Sequence, residues 1–560
     1  DFVSNCVAID ASVPVALELT LYETLARGLS KHFPKYDKYR GDYIEHLRVR
    51  LAETATQLEA RYREMLAAQT PTPAPAGNSA TRVKEKTGQT LINHIRKTPG
   101  ARLTVREFMA RAGKELNAYA PCFLMTPSSV AEFLNKDFKF DLLVVDEASQ
   151  MLTEEAAGAL LRSKQVVVVG DSQQMPPTVQ RVSKLQQPEG GQDTKNESIL
   201  QRASECFEYR RMLLYHYRSK HDSLIQFSNA EFYDEALRII PSAREKSDTL
   251  GLQYIEVNGI YSGKQKNGVK SAHPNSLEAQ RVVDEVCAFM RDPANRERSL
   301  GVAALNKRQA IHIEKLLDKA TEADAILRDY VQAWQDSPEY FFVKNLETVQ
   351  GDERDVMLLS TVFGPTAEGK VAQNFGPINQ PQGEKRINVL ITRAKERLSI
   401  FTSLKPSDIT NQSIGAQVWK RYLDFAKTGQ LQGLDSADVN GHVAGALEKW
   451  FHDRLTQDGF GVTSQVGVSE WRVDLGIRHD ANPGHYICGI QFDGTQYHST
   501  SYALERDHLR DRVLEHSGWT IIRVWSVDFF ADREATYNKV KAQIEAALAA
   551  KCAAVESGQD

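Results

Sequence analysis

Apolar residues follow different patterns in successive regions of this chain of 560 residues. Between 42 and 69, apolar residues such as Leu47 and Leu51 recur every third or fourth position, and the opposite face is charged. This pattern predicts one long helix. The proline-rich segment 70–77 interrupts it, and a second helical stretch follows near 81–118. Together they predict a helical hairpin or stalk, which either packs on a core or binds a partner as a coiled coil.

From residue 121 the pattern changes to short apolar runs that end in polar residues or glycine. Examples are PCFLMTP, FDLLVVDEAS and KQVVVVGD, with helical segments between them. This alternation is typical of a parallel sheet with crossover helices. Similar runs, from RMLLYHYR to RLSIFTS, predict a second α/β domain over 206–405.

A third pattern follows a polar stretch at 406–440. It predicts a helix at 441–458, the strands VTSQVGV, WRVDLGIRH and HYICGIQFDG, a charged helix at 502–517, the strand TIIRVWSV and a last helix at 534–549. The order αβββαβα indicates a smaller domain of its own.

Composition narrows the class of protein. The chain is 41% hydrophobic and 25% charged, which is typical of a globular protein. Its net charge of -4 excludes a global basic field, so any nucleic acid must bind at a local patch or channel. No apolar run approaches the roughly 18 residues of a membrane helix. None of the six cysteines forms a CxxC pair, which disfavours zinc ribbons and fits a reducing, cytoplasmic location.

Candidate chemistry lies at the ends of two predicted strands. Asp146 and Glu147 follow the run LLVV, which predicts a buried strand, and they lie at the sheet edge where ligands of α/β proteins bind. An aspartate there can hold Mg²⁺ through water, and the adjacent glutamate can polarise an attacking water. Gln174 follows the next strand, in GDSQQMPP, and can reach a γ-phosphate.

Five ordered motifs make the chain resemble superfamily 1 helicases. They are DEAS, GDSQQMPP, YRS, ETVQGDERDV and RINVLITRAKERL, over about 121–405. The resemblance is strongest to the branch of the nonsense-mediated-decay helicase and its bacterial relatives. It implies two RecA-like parallel-sheet motor domains, the first one incomplete, and the cofactors ATP and Mg²⁺.

The resemblance assigns roles to the motif residues. Asp146 and Glu147 match the Mg²⁺-binding and water-activating pair, and Gln174 matches the γ-phosphate sensor. Tyr217 matches a tyrosine that packs near the base, and Arg218 matches an arginine on the phosphates. Gln350, Gly351 and Glu353 match the motif whose glutamate contacts the ribose. Arg393 matches the arginine that stabilises transferred-phosphate charge. Such an arginine can be worth about 10³–10⁵ in rate.

Three further positions match contacts to the nucleic-acid backbone. They are Ser128 and Ser129 after PCFLMT, and Thr348 in the second domain. For these three, a capped loop is an equally good explanation.

One part of the motor is not found in the sequence. A helicase needs a GxxxxGK[ST] loop to hold the β- and γ-phosphates, and the nearest string, KTGQT at 86–90, lacks the spacing. We therefore expect the chain to be the C-terminal part of a longer protein, and to bind and hydrolyse ATP poorly alone. The rival explanation is a degenerate motor that never binds ATP.

The C-terminal pattern resembles the PD-(D/E)XK nuclease core, and more narrowly the domain related to very-short-patch repair endonucleases. In that subgroup the catalytic strand reads Glu-x-Asp-Gly with a following histidine. Gln491 stands in the glutamate place, Asp493 in the aspartate place and His498 in the histidine place. Asp474 matches the first metal-binding carboxylate and Glu448 the auxiliary acid of the first helix.

The amide at Gln491 leaves three explanations open. Phosphodiester hydrolysis uses Mg²⁺, which prefers carboxylate oxygens such as those of Asp474 and Asp493. A glutamine carbonyl binds the metal less well. Gln491 is therefore a tolerated natural variant, a natural loss of activity, or an engineered Glu-to-Gln change.

The combined interpretation is an ATP-dependent helicase or translocase coupled to a Mg²⁺-dependent nuclease. DNA, single-stranded or being unwound, is the expected partner, with RNA as the alternative, and relatives of this kind imply anti-phage defence or repair. Two rival hypotheses are a nucleic-acid-binding or regulatory module with an inert nuclease, and a protein-binding arm in the helical N-terminal region. The predicted domains are an N-terminal segment with helical stalk or insertion (1–120), the rest of the first RecA-like domain (121–205), the second (206–405), a linker (406–440) and the nuclease-like domain (441–550).

Overall fold

The computed structural model forms two compact units, which are treated separately. One unit comprises residues 54–212, and the other comprises residues 1–53 with 213–560. The structure describes residues 13–36, 38–69, 77–78, 82–98, 103–177, 197–261, 265–266, 269–270, 274–431, 445–468, 471–479, 484–494, 497 and 502–556.

Within the described residues, five α-helices precede the first strand. They are α1 (Val13–His32), α2 (Gly41–Ala68), α3 (Gly88–Lys97), α4 (Val105–Tyr119) and α5 (Pro127–Phe133). The long helix predicted at 42–69 is confirmed as α2. The stretch predicted near 81–118 is two helices rather than one. Thr104 begins α4 with a capping box, in which its hydroxyl accepts from the Glu107 amide and the Glu107 carboxylate accepts from the Thr104 amide.

The unit of residues 54–212 holds a parallel pair of strands. Its elements are β1 (Phe140–Val145), α6 (Thr153–Leu160), β2 (Ser163–Val168) and α7 (Ile199–Cys206). Two sequence predictions need correction. The run PCFLMTP forms no strand, although all seven of its residues are described. Its last two residues, Thr126 and Pro127, cap and begin the helix α5 instead. The strand before Asp146 was expected to be buried, yet Leu142 and Val144 are exposed on one face.

The second α/β domain is built on a fully parallel sheet of five strands. The elements of this domain are β3 (Tyr215–His216), α8 (Gln226–Phe232), β4 (Arg238–Ile239), β5 (Gly251–Glu256), β6 (Gln265–Lys266), β7 (Val269–Lys270), α9 (Ser276–Arg291), β8 (Leu300–Ala304), α10 (Lys307–Ala323), α11 (Ala325–Trp334), β9 (Phe342–Asn345), β10 (Arg354–Ser360), α12 (Gly383–Ile391), β11 (Ala394–Thr402) and α13 (Ile414–Thr428). The strands of the sheet lie in the order β5-β11-β10-β8-β9. RMLLYHYR contributes only β3, which pairs with β4 outside the main sheet.

Apolar residues cover both faces of the five-stranded sheet, as expected for parallel strands. Val356 and Leu358 of β10 pack toward α9, α10 and α11, whereas Met357 and Leu359 lie in the cluster that includes α12 and α13. Trp419 of α13 is fully buried in this second cluster. The stretch 406–440 was predicted as a linker, but its helix α13 is part of the second domain's core.

The C-terminal domain has the αβββαβ order that the sequence predicted. Its elements are α14 (Ala446–Gln457), β12 (Gly461–Val466), β13 (Val473–Arg478), β14 (Cys488–Phe492), a π-helical turn (Glu505–Leu509) continuing into α15 (Arg510–His516), β15 (Ile521–Val524), α16 (Ser526–Ala531) and α17 (Arg533–Glu556). The sheet order is β12-β13-β14-β15. The first three strands are antiparallel, and β15 runs parallel to β14.

Helix α1, from the other end of the chain, completes the core of this C-terminal domain. Val15 and Leu19 lie in the same buried cluster as Phe451 of α14 and Ile490 of β14. The sequence placed α1 in an N-terminal segment, because no local pattern shows which distant sheet an amphipathic helix covers.

The C-terminal domain also packs directly on the second α/β domain. Ala243 shares a buried cluster with Trp471 and Trp519. The Trp519 indole donates to the Pro241 carbonyl at 2.9 Å, and the Tyr486 amide donates to the Ala243 carbonyl at 2.9 Å. In the described part of the chain, no helix combines the length and apolarity of a membrane span.

Candidate functional site

The first group of motif residues lies at the carboxyl ends of β1 and β2, within the unit of residues 54–212. Asp146 and Glu147 follow β1 and are exposed. Glu147 has φ 51°, a left-handed conformation that is uncommon outside glycine, and Gln150 donates to its carboxylate at 3.1 Å. Gln174, after β2, donates to Asp171 at 3.1 Å. The two loops are joined where the Ala148 amide donates to the Val169 carbonyl at 2.9 Å.

A second group lies in the other unit, at the starts of β10 and β11. The Arg218 guanidinium pairs with Glu353 at 2.7 Å, and Lys395 lies 3.6 Å from the same carboxylate. Tyr217 is 82% exposed. The structure therefore joins two predicted nucleotide-side residues, Arg218 and Glu353, in an ion pair that an anionic ligand can compete for.

Two other predicted nucleotide-side residues are turned inward. Arg393 is buried, and its guanidinium donates to the Val389 carbonyl at 2.7 Å and to the Thr392 hydroxyl at 3.1 Å. Gln350 has a buried amide nitrogen without a hydrogen-bond partner among the described residues. Gly351 beside it has φ 89°, a left-handed conformation that glycine adopts at little cost.

The three predicted backbone-contacting residues are surface residues of turns. Ser128 and Ser129 begin α5, where the Thr126 hydroxyl accepts from the Ser129 amide at 3.3 Å. Thr348 is exposed, and its hydroxyl donates to the Asn345 side chain at 3.0 Å. The Thr126 hydroxyl also hydrogen-bonds to the hydroxyls of Ser128 at 3.0 Å and Ser129 at 2.9 Å, so each of the three predicted residues makes a local bond. Their contact with a nucleic-acid backbone stays a prediction.

In the C-terminal domain, Asp474 and Gln491 lie opposite one another on adjacent strands. The register that pairs Leu475 with Ile490 places Asp474 of β13 beside Gln491 of β14 on one face. The Asp474 carboxylate accepts from the Phe492 amide at 2.8 Å. Both predicted residues are therefore brought together by the sheet.

Glu448 of α14 joins this face through Gln465 of β12. The Gln465 amide donates to the Glu448 carboxylate at 3.2 Å, and the register of β12 with β13 sets Gln465 opposite Asp474. Burial and the nearby Asp474 carboxylate raise the pKa of Glu448 to about 7. Burial also raises the pKa of Asp474, against the opposing effects of the Phe492 amide and of Arg510. The Asp474 carboxylate is therefore close enough to disfavour ionisation of Glu448.

Asp493 lies against the start of α16. Its carboxylate accepts from the Ser526 amide at 2.7 Å and from the Ser526 hydroxyl at 2.9 Å, at the first turn of that helix. These bonds use one lone pair on each oxygen, so a metal-binding role of Asp493 beside Asp474 stays a prediction. His498 lies outside the described residues.

The carbonyl of Arg472 explains how an amide is accommodated at position 491. Gln491 is 3% exposed, and its side-chain nitrogen approaches the Arg472 carbonyl at 3.4 Å. Arg510 donates to the same carbonyl at 2.9 Å and lies over the Trp471 ring. A glutamate at 491 would present an acceptor to this carbonyl, whereas a glutamine presents a donor.

The donor set fits a partly hydrated Mg²⁺ rather than a cage of protein ligands. No group of three or more His, Cys, Asp or Glu side chains that could hold a metal occurs among the described residues. Mg²⁺ is commonly held by one or two carboxylates, together with waters and substrate phosphates. Asp474 and Glu448 supply two carboxylates, and the Gln491 carbonyl is a neutral oxygen on the same face.

Gln465 was not among the residues predicted for this site. It carries no sequence signal, because a glutamine in a strand is an ordinary surface residue. Arg510 was expected from the charged helix either to contact phosphate or to belong to a salt-bridged face, and the structure sets it on the Arg472 carbonyl.

Known protein families match three parts of the chain. An AAA domain family matches residues 29–182, a second AAA domain family matches 195–405, and the restriction-endonuclease family REase_MTES_1575 matches 448–544. The chain carries superfamily 1 helicase domains, of the nonsense-mediated-decay-helicase-like branch, and a C-terminal nuclease-like domain.

Individual relatives of these helicase domains carry helicase names. The "Uncharacterized ATP-dependent helicase MG140 homolog" of Mycoplasma pneumoniae is 28% identical over 73% of this chain and 37% of its own length. The "Uncharacterized ATP-dependent helicase MG140" of Mycoplasma genitalium is 27% identical over 76% of this chain and 38% of its own length. The chain thus spans less than two-fifths of the length of these two relatives. The mouse "5'-3' DNA helicase ZGRF1" is 28% identical over 48% of this chain and 13% of its own length. The match to the solved structure of the PRRSV helicase covers 46% of this chain and 34% of that chain, at 12% identity and a TM-score of 0.21. This TM-score is too low to bear on the fold.

Proposed function

We propose that this chain is part of an ATP-dependent nucleic-acid motor whose C-terminal domain is a Mg²⁺-dependent nuclease. The observation that supports the nuclease most directly is the convergence of Asp474 and Glu448 on one face of an αβββαβ sheet, with Gln491 beside them. The helicase domains and the names of the relatives support the motor.

In each unit, the motor residues would contribute to the chemistry of phosphate transfer. In one unit, Asp146 and Glu147 supply the acidic pair for Mg²⁺ and water, and Gln174 the sensor of the γ-phosphate. In the other unit, Arg218 can leave Glu353 for a phosphate, because both side chains are more than one-third exposed. The buried Arg393 requires a rearrangement at the end of α12 before it can reach phosphate.

In the nuclease site, the chain's own groups would bind and orient the scissile phosphate. When bound, Mg²⁺ supplies charge neutralisation and a water of lowered pKa. Asp474 and Glu448 hold that ion, and the Gln491 amide is oriented by the Arg472 carbonyl. A bound cation would favour the ionised form of Glu448, whose pKa is raised to about 7 in the metal-free chain.

DNA is the proposed substrate, and RNA is the alternative. Relatives of the helicase domains include proteins named as a DNA helicase and as a DNA-binding protein. The proposed setting is defence against foreign DNA or DNA repair, which rests on analogy with similar fusions rather than on the site.

A cleavage assay tests the nuclease. The native chain and the isosteric variant Asp474→Asn are incubated with end-labelled single- and double-stranded DNA and RNA, with Mg²⁺ or with EDTA. We expect Mg²⁺-dependent cleavage by the native chain and at least a hundredfold loss in the variant. Equal cleavage by both forms would assign the activity to a contaminant.

A second candidate function is a nucleic-acid-binding module with an inert nuclease. It is favoured by the hydrogen bonds of Gln491 and Asp493, since Gln491 supplies no carboxylate and the Asp493 carboxylate is bonded to Ser526. Gln491→Glu decides between the two. Cleavage gained only by Gln491→Glu indicates an inert natural site, and cleavage by neither form contradicts the nuclease.

A further inference from the structure

Gln465 holds an unusual backbone conformation inside β12. Its φ is 55°, in the left-handed region that residues other than glycine adopt only when their surroundings enforce it. The neighbouring pairs of the register, Ser464 with Leu475 and Val466 with Val473, place Gln465 beside Asp474. The chain therefore departs from regular strand geometry at the residue next to the candidate acid.

In this conformation Gln465 lies between the two acids. Its nitrogen donates to the Glu448 carboxylate at 3.2 Å, and the strand register sets the same residue opposite Asp474. Glu448 comes from a helix and Asp474 from a strand, so Gln465 is a residue that ties the two elements together at the acids.

We propose that Gln465 is the positioning residue that holds Glu448 and Asp474 toward a common divalent cation. The inference rests on the proposed nuclease function. Each carboxylate has about four lone-pair sites, so a bond from the amide to one of them leaves others for a metal. Groups that orient metal ligands in this way typically change metal affinity by about 10- to 100-fold when they are removed.

Glycine at position 465 separates this role from a merely structural one. Gln465→Gly removes the amide but accepts a positive φ without strain, so the fold should be retained. Gln465→Asn also tolerates the left-handed conformation, and its amide is one methylene too short for the bond to Glu448. Ser464→Gly, at the exposed neighbouring position of β12, is the matched control for introducing glycine into this strand.

The experiment measures Mn²⁺ binding to the full chain by electron paramagnetic resonance of the free ion. All proteins carry Asp146→Ala, so that the acidic pair of the motor does not contribute. We expect Gln465→Gly and Gln465→Asn to weaken the site about 10- to 100-fold, and Ser464→Gly to leave it unchanged. Native affinity in both Gln465 variants, with the thermal unfolding midpoint unchanged, overturns the proposal.

Two further readouts make the outcome specific. If Gln465 positions the acids, a 10- to 100-fold higher Mn²⁺ concentration restores cleavage by Gln465→Gly, whereas a variant that is only misfolded is not rescued by metal. Asp474→Ala separates this inference from the proposed function. If Asp474→Ala binds Mn²⁺ like the native chain, the metal site itself is refuted; if it loses the ion while Gln465→Gly keeps it, only the role of Gln465 is refuted.

Discussion

Two aspartates of the C-terminal domain look alike in the sequence but differ in what their carboxylates contact. Asp474 is buried beside Glu448, where its ionisation is disfavoured, whereas Asp493 accepts two hydrogen bonds from Ser526. The first contact pattern is that of an acid held for a ligand. The second is that of a residue that caps a helix.

Asp493→Ala tests this difference at the residue scale. We expect it to lower the free energy of unfolding by about 1 kcal/mol, the usual value of an N-terminal helix cap, and to leave Mn²⁺ binding intact. Ser526→Ala is the matched control, because it removes the hydroxyl bond and keeps the amide bond. Loss of Mn²⁺ binding in Asp493→Ala at unchanged stability would assign Asp493 to the metal site.

Glu278 is a fully buried acid of the second α/β domain, remote from the residues of either proposed site. Its carboxylate accepts from the Ser360 hydroxyl and the Val362 amide, both at 2.6 Å, and from the Ser403 hydroxyl at 2.9 Å. Burial raises its pKa to about 7, which these bonds only partly oppose. The folded state therefore binds the Glu278 proton more tightly than the unfolded state.

The sign of the pH dependence follows from this raised pKa. The contribution of Glu278 to stability is complete below pH 4.5 and is lost as the pH rises to about 7, by up to about 3 kcal/mol. Glu278→Gln replaces the protonated acid with a neutral isostere, so we expect its unfolding midpoint to fall less than the native midpoint between pH 5 and pH 8. Identical slopes in thermal scans would show that Glu278 is ionised throughout.

At the scale of elements, α2 is attached to the C-terminal domain by a buried arginine. Arg48 pairs with Asp511 and Glu45 and lies 3.5 Å from Asp507. Asp511 also pairs with Arg523 of β15, the strand next to Gln491. The start of α2 thus supports the strand on which the candidate site is built.

Removing this arginine should destabilise the domain far more than removing an exposed one. We expect Arg48→Ala to cost about 3 kcal/mol, since it leaves buried carboxylates with fewer partners. Arg50→Ala, two residues along the same helix at an exposed position, should change stability by no more than about 0.5 kcal/mol. Chemical denaturation followed by tryptophan fluorescence measures both, and equal losses would contradict the role of Arg48.

For the whole molecule, the sequence predicts what depends on local pattern and ordered motifs. The helix α2, the five-stranded parallel sheet and the αβββαβ order follow from periodicity and motif spacing. The pairing of Asp474 with Gln491 follows once β13 and β14 are known to be antiparallel neighbours.

What the sequence does not predict depends on contacts between distant parts of the chain. Leu19 fills the core of a domain more than 400 positions away, Asp493 meets Ser526 across a turn of the fold, and Gln465 departs from strand geometry. None of these follows from propensity, because each is decided by packing that forms only in the complete domain.

We propose that Asp474 and Glu448 hold the divalent cation of the nuclease-like domain. Anomalous diffraction from crystals of the chain soaked in Mn²⁺ locates that cation. We expect a peak within coordination distance, about 2–2.5 Å, of carboxylate oxygens of both Asp474 and Glu448. A peak on Asp493 alone, or no peak in this domain at saturating Mn²⁺, would contradict the proposal.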